Sequence, residues 1–263
     1  KQPKITQIQP LVFLNVLASI FMLYIFFMRI TKYYSPNFDV KTRSNKSITA
    51  IVIHYTGMQS ERESLKRLVS SKSKVSCHYL INRNGAIFNL VRDKHVAWHA
   101  GKSMWSKYKN LNKNSIGIEL VNKGHRYEYQ AFTRIQIKRL VELCKYLKRK
   151  YKIKNKLILG HSDIAPLRKA DPGEKFPWGY LSSKGVGTYP GKIMKKEKFQ
   201  KNNNISTLFY NLRIIGYRYL KRKFRKKIIK SFQRRYRQNR VNGILDSETL
   251  KISEILAKNS NIA

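Results

Sequence analysis

One stretch, residues 160–173, constrains this chain more than any other: Gly-His-Ser-Asp-Ile-Ala-Pro-Leu-Arg-Lys-Ala-Asp-Pro-Gly. A short apolar run at 157–159 leads into it and predicts a buried strand. His161 follows the run, Pro166 breaks the loop, and Lys169 precedes Asp171 before Pro172 and Gly173 close the turn. An imidazole and a carboxylate on a loop leaving a rigid strand are two of the three protein ligands that an open zinc site needs. A second apolar run, Ile51-Val52-Ile53, ends in His54-Tyr55-Thr56-Gly57 and offers the third ligand if the two strands are neighbours.

Between and around these runs the hydropathy alternates between strand-length and helix-length patterns. Residues 50–54, 77–82, 86–90, 116–121 and 157–159 predict strands, and residues 61–70 predict a helix. Asn84-Gly85 predicts a tight hairpin between the second and third runs. Residues 133–151 are amphipathic, with Ile137, Leu140, Val141, Cys144 and Leu147 on one face and Lys or Arg on the other. Strands and helices interleave, so the expected class is α/β, a mixed central sheet flanked by helices. Cys77 and Cys144, the two cysteines, sit in apolar contexts that predict buried thiols rather than a disulfide.

The ends of the chain read differently. Residues 11–30 are apolar except for Asn15, Ser19 and Arg29, long enough to cross a bilayer as a helix. Residues 1–32 are therefore expected to be an N-terminal transmembrane or signal helix, and 33–48 a polar linker. Arg29, Lys32, Lys41 and Arg43 make the downstream flank as basic as the upstream one, so the charge bias assigns no orientation. After a main domain at 49–195 and a charged, asparagine-rich linker at 196–204, residues 205–263 predict a small three-helix C-terminal module. Its apolar stripes are Leu208, Leu212 and Ile215, then Ile228, Ile229 and Phe232, then a last helix at 247–256 with Ser247 as N-cap.

Hydrolysis at a zinc site needs, besides His54, His161 and Asp171, a base and a cation for the developing oxyanion. Glu119 is a carboxylate inside the apolar run Ile116-Gly117-Ile118-Glu119-Leu120, a costly position unless it is paired or functional. It is the candidate general base, and Lys169 the candidate oxyanion partner. Alone, each has a bland reading: a core histidine, an ion-paired carboxylate, a solvated lysine. Their joint occurrence at strand ends raises the odds of chemistry.

These residues lie in stretches that resemble the zinc-dependent N-acetylmuramoyl-L-alanine amidases of the AmpD–AmiD-like group, whose fold is shared with phage lysozyme-type amidases and peptidoglycan recognition proteins. The matching stretches are Ile51-Val52-Ile53-His54-Tyr55-Thr56, Ser76-Cys77-His78-Tyr79-Leu80-Ile81, Ala97-Trp98-His99-Ala100-Gly101-Lys102-Ser103, Asn114-Ser115-Ile116-Gly117-Ile118-Glu119 and the 160–173 segment. The resemblance implies one catalytic zinc ion on His54, His161 and Asp171, with Glu119 as base and Lys169 on the oxyanion. It implies cleavage of the amide between N-acetylmuramic acid and the L-alanine of the stem peptide. Tyr55, Trp98, His99 and Asn114 are the positions it suggests for substrate contacts, and His78 is a core or supporting histidine. The stretch from Phe232 to Leu250 resembles a three-helix peptidoglycan-binding domain, although a basic run, 219–227, stands where that family has an Asp-Gly turn.

A net charge of +41 favours an anionic partner, whether nucleic acid, anionic lipid or acidic cell-wall polymer, with a general lysine bias as the bland alternative. On the amidase reading the partners are peptidoglycan and muropeptides, with the membrane reached through the N-terminal segment and no nucleic acid. The location is then the cell envelope, periplasmic or secreted. The alternatives are a nucleic-acid-binding protein, in which Tyr219, Phe224, Phe232 and Tyr236 would stack on bases, and an amidase restricted to anhydro-muropeptides.

Overall fold

The computed structural model describes residues 29–191 and 204–261. Six strands form the central sheet: β1 (Ile30–Lys32), β2 (Ala50–Tyr55), β3 (Tyr79–Ile81), β4 (Ile87–Asn89), β5 (Ser115–Leu120) and β6 (Ile158–Gly160). Their order is β1-β4-β3-β5-β2-β6. All neighbours run parallel except β3 and β4, the hairpin that Asn84-Gly85 predicts. Gly85 adopts φ +86° there, a conformation open to glycine at little cost.

Alternation along β2 sends Ile51 and Ile53 to one face and Val52 to the other. The first face is covered by α2 (Arg134–Tyr151), whose Ile137, Leu140, Val141, Cys144 and Leu147 are buried as its periodicity requires. Thr133 caps this helix by accepting from the Gln136 backbone N–H at 3.2 Å. The buried Gln136 side chain donates to the strand-end carbonyls of Ile81 and Val121 at 3.0 and 3.1 Å. The shorter helices are α1 (Glu61–Val69), whose Leu68 packs with Leu80 of β3 and Val121, α3 (His161–Ile164) and α4 (Trp178–Ser183). Both cysteines are free and buried.

The opposite face is covered by the C-terminal helices α5 (Ile205–Ile215), α6 (Arg225–Tyr236) and α7 (Ser247–Asn261). Ile228, Ile229, Phe232 and Tyr236 of α6 share one apolar cluster with Val52, Leu159, Ile164 and Trp105. Gly216, at φ +130°, lies so close to the Trp105 indole that a Cβ there would meet it at 2.5 Å. The expected three-helix C-terminal module is therefore a second layer of the sheet's core, and Phe232 and Tyr236 are buried in it instead of facing a ligand. Asn204 caps α5, accepting from Ser206 N–H at 2.8 Å, while the rest of the expected 196–204 linker lies outside the described residues. The cap of α7 is Asp246 and not Ser247: its Oδ1 accepts from Thr249 N–H at 2.9 Å.

The stretch 33–48 is a packed strap, not a free linker. Ser35 Oγ donates to Leu68 O at 2.6 Å, and Asn37 Nδ2 donates to Ser70 O and Val75 O. Arg43 ties the carbonyls of Asp93, Asn112 and Ser115 together. Polar composition looks like a linker in sequence because it cannot show that each polar group has a backbone partner waiting. Residues 30–32, assigned in sequence to the end of the apolar helix, form the edge strand β1. The remainder of that segment, 1–28, lies outside the described residues, and among those described no helix is long and apolar enough to cross a membrane.

A core shared by sheet and C-terminal helices predicts one cooperative unfolding transition. Phe232→Ala should cost ~3–5 kcal/mol for the whole chain. Urea unfolding followed by both tryptophan fluorescence and far-UV circular dichroism checks this, and a separate transition for the C-terminal helices would contradict it.

Candidate active site

The register of β2 and β6 brings the two histidines together. Gly160 pairs with Ile53, so His161 and His54, each one residue further along parallel strands, emerge side by side at the strand C-termini. Gly160 also allows the return of the loop: a Cβ there would lie 2.8 Å from Pro172 Cδ. The missing side chain lets Pro172 settle against β6, and Ser162 N–H donates to Asp171 O at 2.8 Å to latch the loop. Asp171 is thus delivered to the imidazoles. His54 Nδ1 and His161 Nδ1 lie 2.9 Å apart, and each is 3.0 Å from Asp171 Oδ2. All three residues are buried.

The hydrogen-bond network assigns the tautomers. Ser115 Oγ–H donates to Leu111 O at 2.6 Å, so Ser115 accepts from His99 Nε2 at 3.3 Å. His99 Nδ1 is then an acceptor, and His54 Nε2–H donates to it at 3.0 Å. His161 Nε2–H donates to Ala100 O at 3.1 Å. Both Nδ1 lone pairs consequently point at the Asp171 carboxylate oxygen. Burial, then the neighbouring His161, lowers the His54 pKa to about 4.

Three unprotonated acceptors at mutual distances near 3 Å repel one another unless a cation lies among them. Tetrahedral bonds of ~2.0–2.1 Å place ligand atoms roughly 3.3 Å apart, so this donor set fits zinc in chemistry and spacing. Among the described residues it is the one His/Cys/Asp/Glu cluster with metal-binding geometry. Hydrogen bonds to the other ring nitrogen, which fix tautomer and orientation, are a recurring feature of metal-binding histidines.

The cluster lies in a groove of about 440 Å³ lined by Tyr55, Trp98, His99, Glu119, Lys169 and Asp171, among others. Glu119 pairs in register with His54 across β2 and β5, and its Oε2 is buried without a hydrogen-bond partner. Burial, reinforced by the Asp171 charge, pushes its pKa up to about 8. Lys169 is exposed on the groove rim, near enough to act electrostatically on both His54 and Glu119. Arg67, Arg126 and Arg168 add further positive charge around the groove.

The suggested substrate positions divide. Tyr55 and Trp98 line the groove; the Tyr55 hydroxyl lies 2.8 Å from His125 Nδ1, and Trp98 Nε1 donates to Asp39 Oδ1 at 2.7 Å. His99 also borders it, but its ring lies over Gly117, where a Cβ would fall 2.3 Å from His99 Cγ. It is a support for His54 more than an open wall. Asn114 is not at the groove: it immediately precedes β5, at the end remote from Glu119, and donates from Nδ2 to Ser47 O at 3.3 Å. The side chain its neighbourhood contributes is Asn112, whose Oδ1 accepts from His99 and Ala100 N–H at 3.1 and 2.6 Å. His78 is buried and accepts from Gly117 N–H at 3.0 Å on Nδ1, in keeping with a core role. Sequence reasoning missed Arg168, which donates to Ala100 O and Lys102 O and braces the His161 loop. A lone exposed arginine gives no signal of this.

A profile of the N-acetylmuramoyl-L-alanine amidase family matches residues 44–174. The N-acetylmuramoyl-L-alanine amidase AmiD of Escherichia coli is 34% identical over 229 residues, covering 80% of this chain and 82% of that protein. The structure of that amidase with the substrate anhydro-N-acetylmuramic acid-L-Ala-D-γ-Glu-L-Lys superposes with a TM-score of 0.74 at 33% identity, over 81% of this chain and 90% of the other. AmpDh3 of Pseudomonas aeruginosa, in complex with anhydromuramic pentapeptide, superposes with a TM-score of 0.71 at 30% identity, over 85% and 96%. With its His-His-Asp cluster at the sheet's C-terminal edge and this extent of similarity, the chain belongs to the N-acetylmuramoyl-L-alanine amidase family.

Proposed function

We propose that the protein is a zinc amidase that hydrolyses the bond between N-acetylmuramic acid and the L-alanine of the peptidoglycan stem peptide. One observation carries the reading: His54 Nδ1, His161 Nδ1 and Asp171 Oδ2 converge in a groove that also holds the unpartnered Glu119 carboxylate. When bound, zinc polarises the amide carbonyl and lowers the pKa of the attacking water. Glu119 then takes a proton from that water and returns it to the leaving amine. An Oε2 free of protein hydrogen bonds is available for both transfers. Lys169 puts its ammonium against the oxyanion of the tetrahedral intermediate. The cationic groove suits a stem peptide whose D-γ-Glu keeps a free α-carboxylate, the group present in the ligand held by the AmiD relative.

The substrate lies in the cell envelope, so a periplasmic or secreted protein is part of this reading, with anchoring by the apolar stretch that precedes β1. Restriction to anhydro-muropeptides is the second reading, favoured by the anhydromuramyl ligands of both similar structures.

Incubation with muropeptides of both kinds, followed by mass spectrometry, should show free stem peptides, and a strong chelator should abolish their release. Release of disaccharides or of cross-linked peptides instead would refute the bond assignment. His161→Ala should lose metal and activity together. Glu119→Ala should retain zinc and lose ~10²- to 10⁴-fold in kcat, and digestion at the normal rate would remove Glu119 from the mechanism.

The raised Glu119 pKa also has a sign that can be checked in the metal-free protein. A folded pKa near 8 against an ordinary 4.5 means that the folded state binds the proton more tightly. The stability this gives is full below about pH 4.5 and is lost as pH rises through 8. Glu119→Gln, neutral throughout, should therefore raise the apo melting temperature above pH 8, with the difference vanishing near pH 5. An unchanged or lowered melting temperature at pH 9 would mean that the carboxylate is stabilised after all.

A further inference from the structure

We infer that Arg235 on α6 is a positioning residue for the metal ligands, so that the C-terminal helices form part of the metal site. The inference rests on the zinc reading above, and the contacts behind it are all buried. Asp163 stands two residues after His161 and is 0% exposed, and Arg235 is 1% exposed. Asp163 Oδ2 accepts from Gly160 N–H at 2.7 Å and from Arg235 Nη1, and its Oδ1 accepts from Tyr217 O–H at 2.8 Å. Arg235 Nη2 donates to Ile158 O in β6 at 2.8 Å. Four residues along, α6 adds a further tie, Ser231 Oγ donating to Ser162 O at 2.6 Å.

The backbone on both sides of His161 is thereby held from outside the sheet. Ile158 and Gly160 are fixed before the ligand, Ser162 and Asp163 after it. A route to Asp171 exists as well. The Arg235 guanidinium lies 4.1 Å over the Trp178 ring, and Trp178 with Pro172 forms the surface against which Gly160 packs. Arg235 touches none of the three donors; it acts through the backbone that carries them. A metal site tolerates ligand misplacement of only ~0.2 Å, and losing an outer partner of a ligand typically weakens metal binding ~10- to 100-fold. Removing the guanidinium would also leave the Asp163 carboxylate buried without its counter-charge, which forces that loop to move or take in water.

The test uses the full chain and reads the metal rather than turnover. Zinc dissociation constants are measured by chelator competition, and the visible absorption of the Co²⁺-substituted protein reports ligand geometry. Arg235→Met should weaken zinc binding ~10- to 100-fold and shift the Co²⁺ bands. Arg235→Lys keeps the charge but cannot span both Asp163 and Ile158 O, and should fall between Met and wild type; it decides the matter should Arg235→Met fail to fold. The control is Ile252→Ala, in α7, a buried position on a helix without hydrogen bonds to residues 158–173 among the described residues. It should lower the melting temperature and leave zinc affinity and spectrum at wild-type values. Wild-type zinc affinity and Co²⁺ spectrum in the Arg235 variants would overturn the inference. So would zinc affinities that fall in proportion to melting temperature in every variant, Ile252→Ala included. A wild-type chain that binds no zinc would instead refute the amidase reading, and this one with it.

Discussion

Two imidazole lone pairs and a carboxylate oxygen held about 3 Å apart repel each other, and much of this structure exists to keep them there. No local preference of the chain would gather them. Left to relax, the imidazoles would rotate or protonate, and the carboxylate would find water. The tautomer of His54 is set through His99 and Ser115 down to the Leu111 carbonyl, and that of His161 by the Ala100 carbonyl. Each link removes one alternative, so that the free lone pairs point at a common centre.

The same constraint explains choices in the sheet that packing alone would not require. β2 and β6 must be neighbours, parallel and in a register that aligns His54 with His161. Gly160 must lack a side chain because Pro172 occupies that space, and Gly117 because His99 does. Arg168 joins the Ala100–Lys102 backbone to the ligand loop. The C-terminal helices bury the far side of β6 and send in Arg235, among the described residues the largest fully buried side chain.

Much of this was legible in the chain. Apolar runs of strand length, the Asn84-Gly85 turn and the stripe of α2 are local signals, and local signals specify local structure. His54, His161 and Glu119 could be singled out because each interrupts or ends an apolar run, where a polar group needs a reason; Asp171 and Lys169 were picked out by their place in the loop after His161. Partnership across long sequence separations was not legible. Residues 33–48 are polar, and nothing in them announces that Asn37 will satisfy the carbonyls of a loop more than thirty residues away. Asn114 and Asn112 are indistinguishable until the fold turns one towards His99 and the other away. The helices after residue 204 carried the periodicity of a free-standing module, because a stripe that packs on a neighbouring helix and one that packs on a sheet have the same spacing.

The site is a net liability to the fold, and that accounts for the strength of what surrounds it. His54 is buried with a lowered pKa, Glu119 Oε2 is buried without a partner, and three potential ligand atoms face one another. Each departs from what a stable interior would choose, and functional sites are where such departures are tolerated because the surroundings over-determine them. A single layer of helix on one side of a small sheet leaves the opposite face of β2 and β6 open to solvent, next to the residues that most need holding. Closing that face with α6 supplies the apolar burial and the buried Arg235–Asp163 pair in one element. A carboxylate oxygen without a protein hydrogen bond, Glu119 Oε2, and a 160–173 loop that makes many are thus two halves of one arrangement. The backbone on both sides of His161 is held by many hydrogen bonds, whereas Glu119 Oε2, beside the cluster, is left without one.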